Sequence, residues 1–362
     1  MSHPGSHRYC VIMCGGVGSR FWPYSREDCP KQFIDFLGTG RSLLQMSYDR
    51  ILSVVPKENI VVVTNGKYAS LIKEQLPDLL PHNILLEPAR RNTAPCIAWA
   101  AYHIHALDPE ASMIVTPSDH LITGEALFAE SVTKGFEFVE SRDALLTLGI
   151  RPVRPETGYG YIQIDKEVAP GIRSVKTFTE KPNLELAKVF LETGEFFWNA
   201  GIFIWRTKTI IEALRKYDPD VTGILDRGLD LFGTPEETAF IDANFASCPA
   251  NSIDYAVMEK ADNVYVETVS FGWNDLGTWS ALFDNSPKNK DGNVAQNCHV
   301  LTYDCTGNIF AIKPDKLVVA SGLKDYIIAD TGDVLLICPK AQEQAIKLMV
   351  NDARVAFGEK YL

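Results

Sequence analysis

Short apolar runs, separated by stretches long enough for a helix, set the limits on what the first 150 residues can fold into. The runs fall at 9–13 (YCVIM), 60–64 (IVVVT), 84–86, 113–116 (MIVT) and 145–148, with helix-like stretches at 43–54, 67–76, 93–107 and 126–140 between them. Strands this short and this uniformly apolar are buried on both faces. Alternation with helices predicts an α/β fold: a mostly parallel sheet flanked by helices. The middle of the chain is mixed. Strands are expected at 160–164 and 175–179 around the turn Pro170-Gly171, then a helix at 185–192, the strand 201–205 (GIFIW), a helix at 209–216 and a strand at 264–269.

Composition shifts at 285–293 (NSPKNKDGN), a polar run with Pro and Gly, which places a domain boundary there. Two domains are expected, 1–288 and 289–362. In the second, β-type runs centre on Ile309, Val318, Ile327 and Leu335, spaced nine, nine and eight residues apart. That spacing suggests a small stacked β coil, and a plain meander remains open. A helix over about 341–355 follows.

Charge and cysteine usage narrow the function. With 35 Lys+Arg against 46 Asp+Glu the net charge is −11, which argues against nucleic acid or an anionic membrane as the main partner. No apolar run approaches the roughly 18 residues of a membrane span. The N-terminal MSHPGSHRYC has no apolar core of a secretory leader. Cys10, Cys14, Cys29, Cys96, Cys248, Cys298, Cys305 and Cys338 are scattered without a CxxC, as expected of reduced thiols in a cytoplasmic protein.

The segment 14–33, CGGVGSRFWPYSREDCPKQF, follows the first expected strand. Gly15, Gly16 and Gly18 let the backbone come close to an anion and aim N–H groups at it, while Arg20 and Lys31 add fixed positive charge. The set suits a triphosphate. It is not a Walker A loop, because Ser19-Arg20 stands where GK[ST] is required. It is not a dinucleotide fingerprint, because Phe21 stands at the third glycine and Pro23 prevents a long helix.

Two aspartates at distant positions suit Mg²⁺, which takes one or two protein carboxylates and fills its shell with phosphate oxygens and water. Asp119 closes SMIVTPSD at the expected carboxyl end of a strand, where open α/β sheets bind ligands. Asp275 lies in FGWNDLGTW. Taken singly, Ser118-Asp119 could equally cap a helix and 274–277 could equally be a plain turn. Asn92 and Thr93 precede the 93–107 helix, where an N-cap is the ordinary role. His103, His105 and His120 read as packing or surface residues. Trp22, Trp198, Trp205, Trp273 and Trp279 read as core or pocket wall. No nucleophilic Ser/His/Asp or Cys/His constellation is present.

The blocks GGVGSRFWP…PKQF, EPARRNTAP, TPSDH, ETGYGYI, FTEKP, WNAGIFIW, SIDYAVME and FGWNDLGTW resemble, in content and order, those of the sugar-1-phosphate nucleotidylyltransferases. Among these, the bacterial mannose-1-phosphate guanylyltransferases are the best match. The blocks span residues 15 to 279, about three quarters of the chain. Cys14 departs from the small residue usual in the family. The resemblance implies a Rossmann-like (GT-A-like) mixed sheet and a short left-handed β-helix ending in a helix. It implies transfer of GMP from GTP to mannose 1-phosphate with Mg²⁺, and a homodimer.

It assigns Gly15, Gly16, Gly18, Ser19, Arg20, Lys31, Asn92, Thr93 and Ser118 to the nucleotide, and Gly158, Glu180, Lys181 and Asn199 to the sugar. Asp119 and Asp275 fall to the metal, and Arg20, Lys31 and Lys181 to catalysis. Two readings compete: another sugar 1-phosphate or nucleotide, and a non-catalytic regulatory homologue. The latter could have lost the charged residues that are all present here. With its last histidine at His299, the chain is not expected to carry an added metal-dependent isomerase domain.

Overall fold

The computed structural model describes residues 7–296, 298–313 and 316–362; residues 1–6, most of the stretch read for a leader, lie outside the described residues. Two compact units emerge, each assembled from separated stretches. The first takes the chain up to Gly15, Tyr48–Ser118 and Ile122–Trp273; the second takes Gly16–Ser47, Asp119–Leu121 and Asn274–Leu362. Compactness therefore divides the chain differently from the expected boundary after residue 288. The reason is that Phe21, Trp22 and Phe36, from the glycine-rich segment, join the apolar core of the C-terminal strands.

The first unit is built on nine strands: β1 (Arg8–Cys14), β2 (Ile60–Asn65), β3 (Ile84–Glu87), β4 (Ser112–Pro117), β5 (Leu145–Ile150), β6 (Tyr161–Ala169), β7 (Ile172–Thr179), β8 (Phe196–Arg206) and β9 (Val264–Val269). Their order is β3-β2-β1-β4-β8-β5-β9-β7-β6, and β6 also pairs with β8. The sheet is mixed. β1 to β4 run parallel, with Ile12 opposite both Val62 and Thr116, and β5 is parallel to β9. The antiparallel pairs all involve strands after residue 144.

β2 is buried along IVVVT because helices cover both faces of the parallel half. Helix α1 (Thr93–Leu107) is buried continuously from Ala94 to Ile104, as a helix that is apolar all round must be. Helix α2 (Glu125–Glu140) buries Phe128, Val132, Phe136 and Val139 along one stripe. Helix α3 (Thr207–Tyr217) packs on α1. His103 and His105 serve packing here: His103 Nδ1 lies 2.8 Å from Glu237 Oε2, and His105 Nδ1 lies 3.0 Å from Thr207 Oγ1.

The second unit carries a parallel β coil. Strands β10 (Val294–Gln296), β12 (Ile309–Ile312) and β14 (Tyr326–Asp330) stack in one sheet, and β11 (His299–Tyr303) and β13 (Leu317–Ser321) stack in another. Ile309 lies opposite Ile327, and Val300 opposite Val318. The nine-residue spacing read from the sequence is thus half of an eighteen-residue turn. β15 (Leu335–Pro339) closes the coil by pairing antiparallel to β14.

Every residue of β12 is buried, with Ile309 and Ala311 packed toward Phe21 and Trp279 and with Phe310 and Ile312 toward Val300 and Val318. Asn293 and Asn308 staple the corners. Asn308 Nδ2 donates to Asn293 Oδ1 at 2.9 Å and to the Leu323 carbonyl at 2.9 Å, and Asn308 Oδ1 accepts the Tyr326 N–H at 2.9 Å. The expected C-terminal helix begins as a 3₁₀ turn, Lys340–Ala345, and continues as α4 (Ile346–Phe357).

Candidate active site

In the second unit the glycine-rich segment forms a compact turn instead of opening a long helix. Ser19–Phe21 make one 3₁₀ turn. The Val17 carbonyl accepts hydrogen bonds from the Lys31 N–H, at 3.3 Å, and from the Ser25 hydroxyl. Gly18 has φ +72°, and a Cβ there would lie 2.5 Å from the Cβ of Lys31. The glycine is therefore required twice, by backbone conformation and by the close approach of Lys31. A Cβ on Gly15 or Gly16 would meet nothing within 4 Å, so those faces of the backbone are open. Among the described residues the buried Nε of Arg20 has no hydrogen-bond partner, a donor suited to an anion.

Lys31 is 3% exposed. Its Nζ donates to Asp119 Oδ2 at 2.9 Å and to the Asp275 carbonyl at 2.7 Å. The two aspartates, 156 positions apart in sequence, thus meet within two hydrogen-bond lengths of one ammonium. Burial opposes ionisation of Asp119, but Lys31 and His120 outweigh it and hold its carboxyl below the usual range. Asp275 also plays the turn role its sequence context allowed: its Oδ1 accepts the Gly277 N–H at 3.0 Å. Among the described residues no three His, Cys, Asp or Glu side chains form a metal cluster. Asp119, held ionised, offers hard oxygen donors of the kind a divalent cation takes when it completes its shell with phosphate and water.

In the first unit the strand ends gather a second group. β8 bulges against β5 between Asn199 and Phe203, and Gly201 takes φ +67° to permit it. The bulge turns Asn199 so that its Oδ1 accepts the Gly201 N–H and the Thr147 hydroxyl, each at 3.0 Å. Glu180 and Lys181 follow β7 as an ion pair, Nζ to Oε1 2.6 Å, in which Glu180 is 7% and Lys181 59% exposed. Burial works against the Lys181 charge, but Glu180 and Asp254 outweigh it and raise its pKa. Gly160 leaves room for Glu180, since a Cβ there would lie 2.4 Å from Glu180 Oε2 and displace that carboxylate. Gly158 is exposed, and its N–H already donates to Glu156 Oε1 at 3.0 Å. Tyr159, Trp198 and Trp273 pack edge to face beside these groups.

Asn92, Thr93 and Ser118, which the resemblance assigns to the nucleotide, also have structural work. Asn92 caps α1 by accepting the Thr93 N–H at 2.9 Å, and Thr93 Oγ1 accepts the Ile253 N–H at 2.9 Å. Ser118 is buried after β4, its N–H bonded to the Met13 carbonyl at 3.0 Å.

Two family models match this chain: one described as nucleotidyl transferase over residues 9–292, and one described as the MannoseP isomerase/GMP-like β-helix domain over 300–352. The chain belongs to the nucleotidyl transferase family. Among its relatives are mannose-1-phosphate guanylyltransferase of Escherichia coli K12, 38% identical over 96% of this chain and 74% of that protein, and mannose-1-phosphate guanylyltransferase 2 of Escherichia coli O157:H7, 36% identical over 97% and 74%. A crystal structure from Thermus thermophilus, described as a mannose-1-phosphate geranyltransferase, is 30% identical and superposes with a TM-score of 0.85 over 96% of this chain and 99% of that one. Among the described residues no helix is long and apolar enough to cross a membrane.

Backbone strain marks the motifs of this transferase. Among the described residues five non-glycine residues have positive φ, and three of them, Asn92, Lys181 and Leu276, sit inside EPARRNTAP, FTEKP and FGWNDLGTW. One residue escaped the reading of single motifs. Asp254, in SIDYAVME, accepts the Asn199 Nδ2 hydrogen bond at 2.9 Å. Its signal was a lone acid within an otherwise apolar turn, which sequence cannot separate from a surface residue.

Proposed function

We propose that this enzyme transfers GMP from GTP to mannose 1-phosphate, releasing pyrophosphate and GDP-mannose. The identities of the two substrates rest on the relatives' names. The structural observation behind the reading is Lys31, a buried ammonium joining Asp119 to the Asp275 turn directly beside the glycine-rich backbone. Both reactants are polyanions, so the work of the protein is positioning and charge neutralisation.

In this reading the N–H groups of Gly15, Gly16 and Gly18, with Ser19, Arg20 and Lys31, hold the triphosphate and the leaving pyrophosphate. Asn92, Thr93 and Ser118 lie on the nucleoside side. Lys181 holds the incoming phosphate, and Gly158, Glu180 and Asn199 orient the sugar. Asp119 and Asp275 would hold Mg²⁺, which when bound neutralises phosphate charge. The sugar phosphate attacks the α-phosphorus in line. It already carries an anionic oxygen near neutral pH, so no side chain need remove a proton.

We further propose a homodimeric, cytoplasmic enzyme. The outward side chains Leu301, Tyr303, Leu317 and Val319 on β11 and β13 are all at least half exposed and form an apolar face.

Pyrophosphate release with mannose 1-phosphate and GTP, ATP, UTP, CTP or dTTP in parallel tests the reading. Release confined to GTP supports it; release with another nucleotide overturns the guanine assignment. Lys181→Ala should raise the KM for mannose 1-phosphate by about tenfold or more, the loss of a charge-assisted contact, with little change in that for GTP. Equal effects on both would refute its role.

A further inference from the structure

Asn199 can be given only one orientation. Its Oδ1 faces the Gly201 N–H and the Thr147 hydroxyl, so its Nδ2 faces Asp254 and donates to Oδ1 at 2.9 Å. The amide then retains a single N–H for a ligand and no acceptor. A sugar hydroxyl both accepts and donates, so a site that reads it needs an acceptor beside that N–H. Glu180 is shared with the Lys181 ammonium, which is bonded to Oε1 at 2.6 Å, and offers Oε2 beside it. Asp254 is the carboxylate in contact with Asn199.

Its position is fixed from several sides. It opens a single π-helical turn, Asp254–Met258, of the kind often found at functional sites. The turn is tied to α1 through Ile253 N–H to Thr93 Oγ1 and Ala94 N–H to the Asn251 carbonyl. Just beyond the turn, Glu259 Oε1 accepts the Glu180 N–H at 3.0 Å.

We propose that Asp254 is a sugar-binding residue that accepts a hydroxyl hydrogen from the sugar phosphate and, paired with the Asn199 amide, decides which hydroxyl configuration the site takes. This rests on the sugar-phosphate assignment made above. The surrounding charges agree with an acceptor poised for a neutral donor. The carboxyl is pushed up to about 7, first by burial and then by the neighbouring Glu180, against the opposing effect of Lys181. The other ionisable groups on its turn are Tyr255 and, just past it, Glu259.

The test compares wild type with Asp254→Asn, using mannose 1-phosphate, glucose 1-phosphate and singly deoxygenated mannose 1-phosphates. In the variant the KM for mannose 1-phosphate should rise about tenfold, with the KM for GTP little changed. One deoxy analogue should be hit far less than the parent, because it lacks the hydroxyl being read.

If Asp254→Asn does not fold, wild type alone decides. The KM of the parent should change between about pH 6 and pH 8, and that change should vanish for the same deoxy analogue. Unchanged sugar KM in the variant, equal losses for sugar and GTP, or pH profiles shared by every deoxy analogue would overturn the proposal. Absence of wild-type turnover with any sugar 1-phosphate would instead refute the function on which it rests.

Discussion

Gly18 and Lys31 constrain one another, and their contact explains why a glycine-rich turn is followed thirteen positions later by a buried lysine. Gly18→Ala adds a Cβ at φ +72° and 2.5 Å from Lys31 Cβ. It should cost about 1–3 kcal/mol in chemical denaturation and weaken GTP binding together. Asp254 carries a pH signature of its own. Its folded pKa is about 7 against 3.8 for a free side chain. Between those values the folded state holds a proton that the unfolded chain has lost, so stability falls as pH rises through the window, by at most about 4 kcal/mol. Denaturation of Asp254→Asn at pH 4 and pH 8 should show that slope diminished relative to wild type. Residue types were legible in the sequence: Arg20, Lys31, Asp119, Glu180, Lys181 and Asp275 stand out by motif. Their partners were not. Nothing local announces that the Lys31 ammonium bonds to Asp119, since that contact spans 88 positions and depends on side-chain geometry set by long-range packing.

Among elements, the uniformly apolar strands were the most legible, because burial on both faces leaves little ambiguity in β1, β2 and β4. β8 was read only over 201–205, although it runs from Phe196 to Arg206, because Asn199 and Gly201 interrupt its apolar pattern at the bulge that orients the site. The stretch between 218 and 262 gave no reading. Its helices, Pro219–Leu225 and Glu237–Asn244, are only 7 and 8 residues long, too short for a clear periodicity. In the coil, the apolar runs fixed the repeat but not the corners. Asn308 is fully buried and bonds to Asn293 and to the backbone at Leu323 and Tyr326. Asn308→Ala leaves those groups unpaired and should destabilise the protein by about 2–4 kcal/mol, measured as a lowered urea midpoint.

At the scale of the molecule, the second unit is not one contiguous piece of chain. Phe21, Trp22, Phe36 and Leu43 pack in one cluster with Val294, Ile309, Ala311 and Ile327. A fragment of residues 289–362 would expose the apolar side of β12 and β14, although the sequence alone suggests it as a natural domain. Such a fragment should be unfolded or aggregated by circular dichroism and sedimentation, whereas the full chain should be folded; a monomeric, cooperatively melting fragment would contradict this. The same cluster also orders events during synthesis. Phe21 and Trp22 leave the ribosome near the beginning, while the strands that cover them emerge near the end. At roughly 5–20 residues per second, the glycine-rich turn waits on the order of tens of seconds with its apolar underside bare. The glycine-rich turn is therefore among the last parts of the protein to mature.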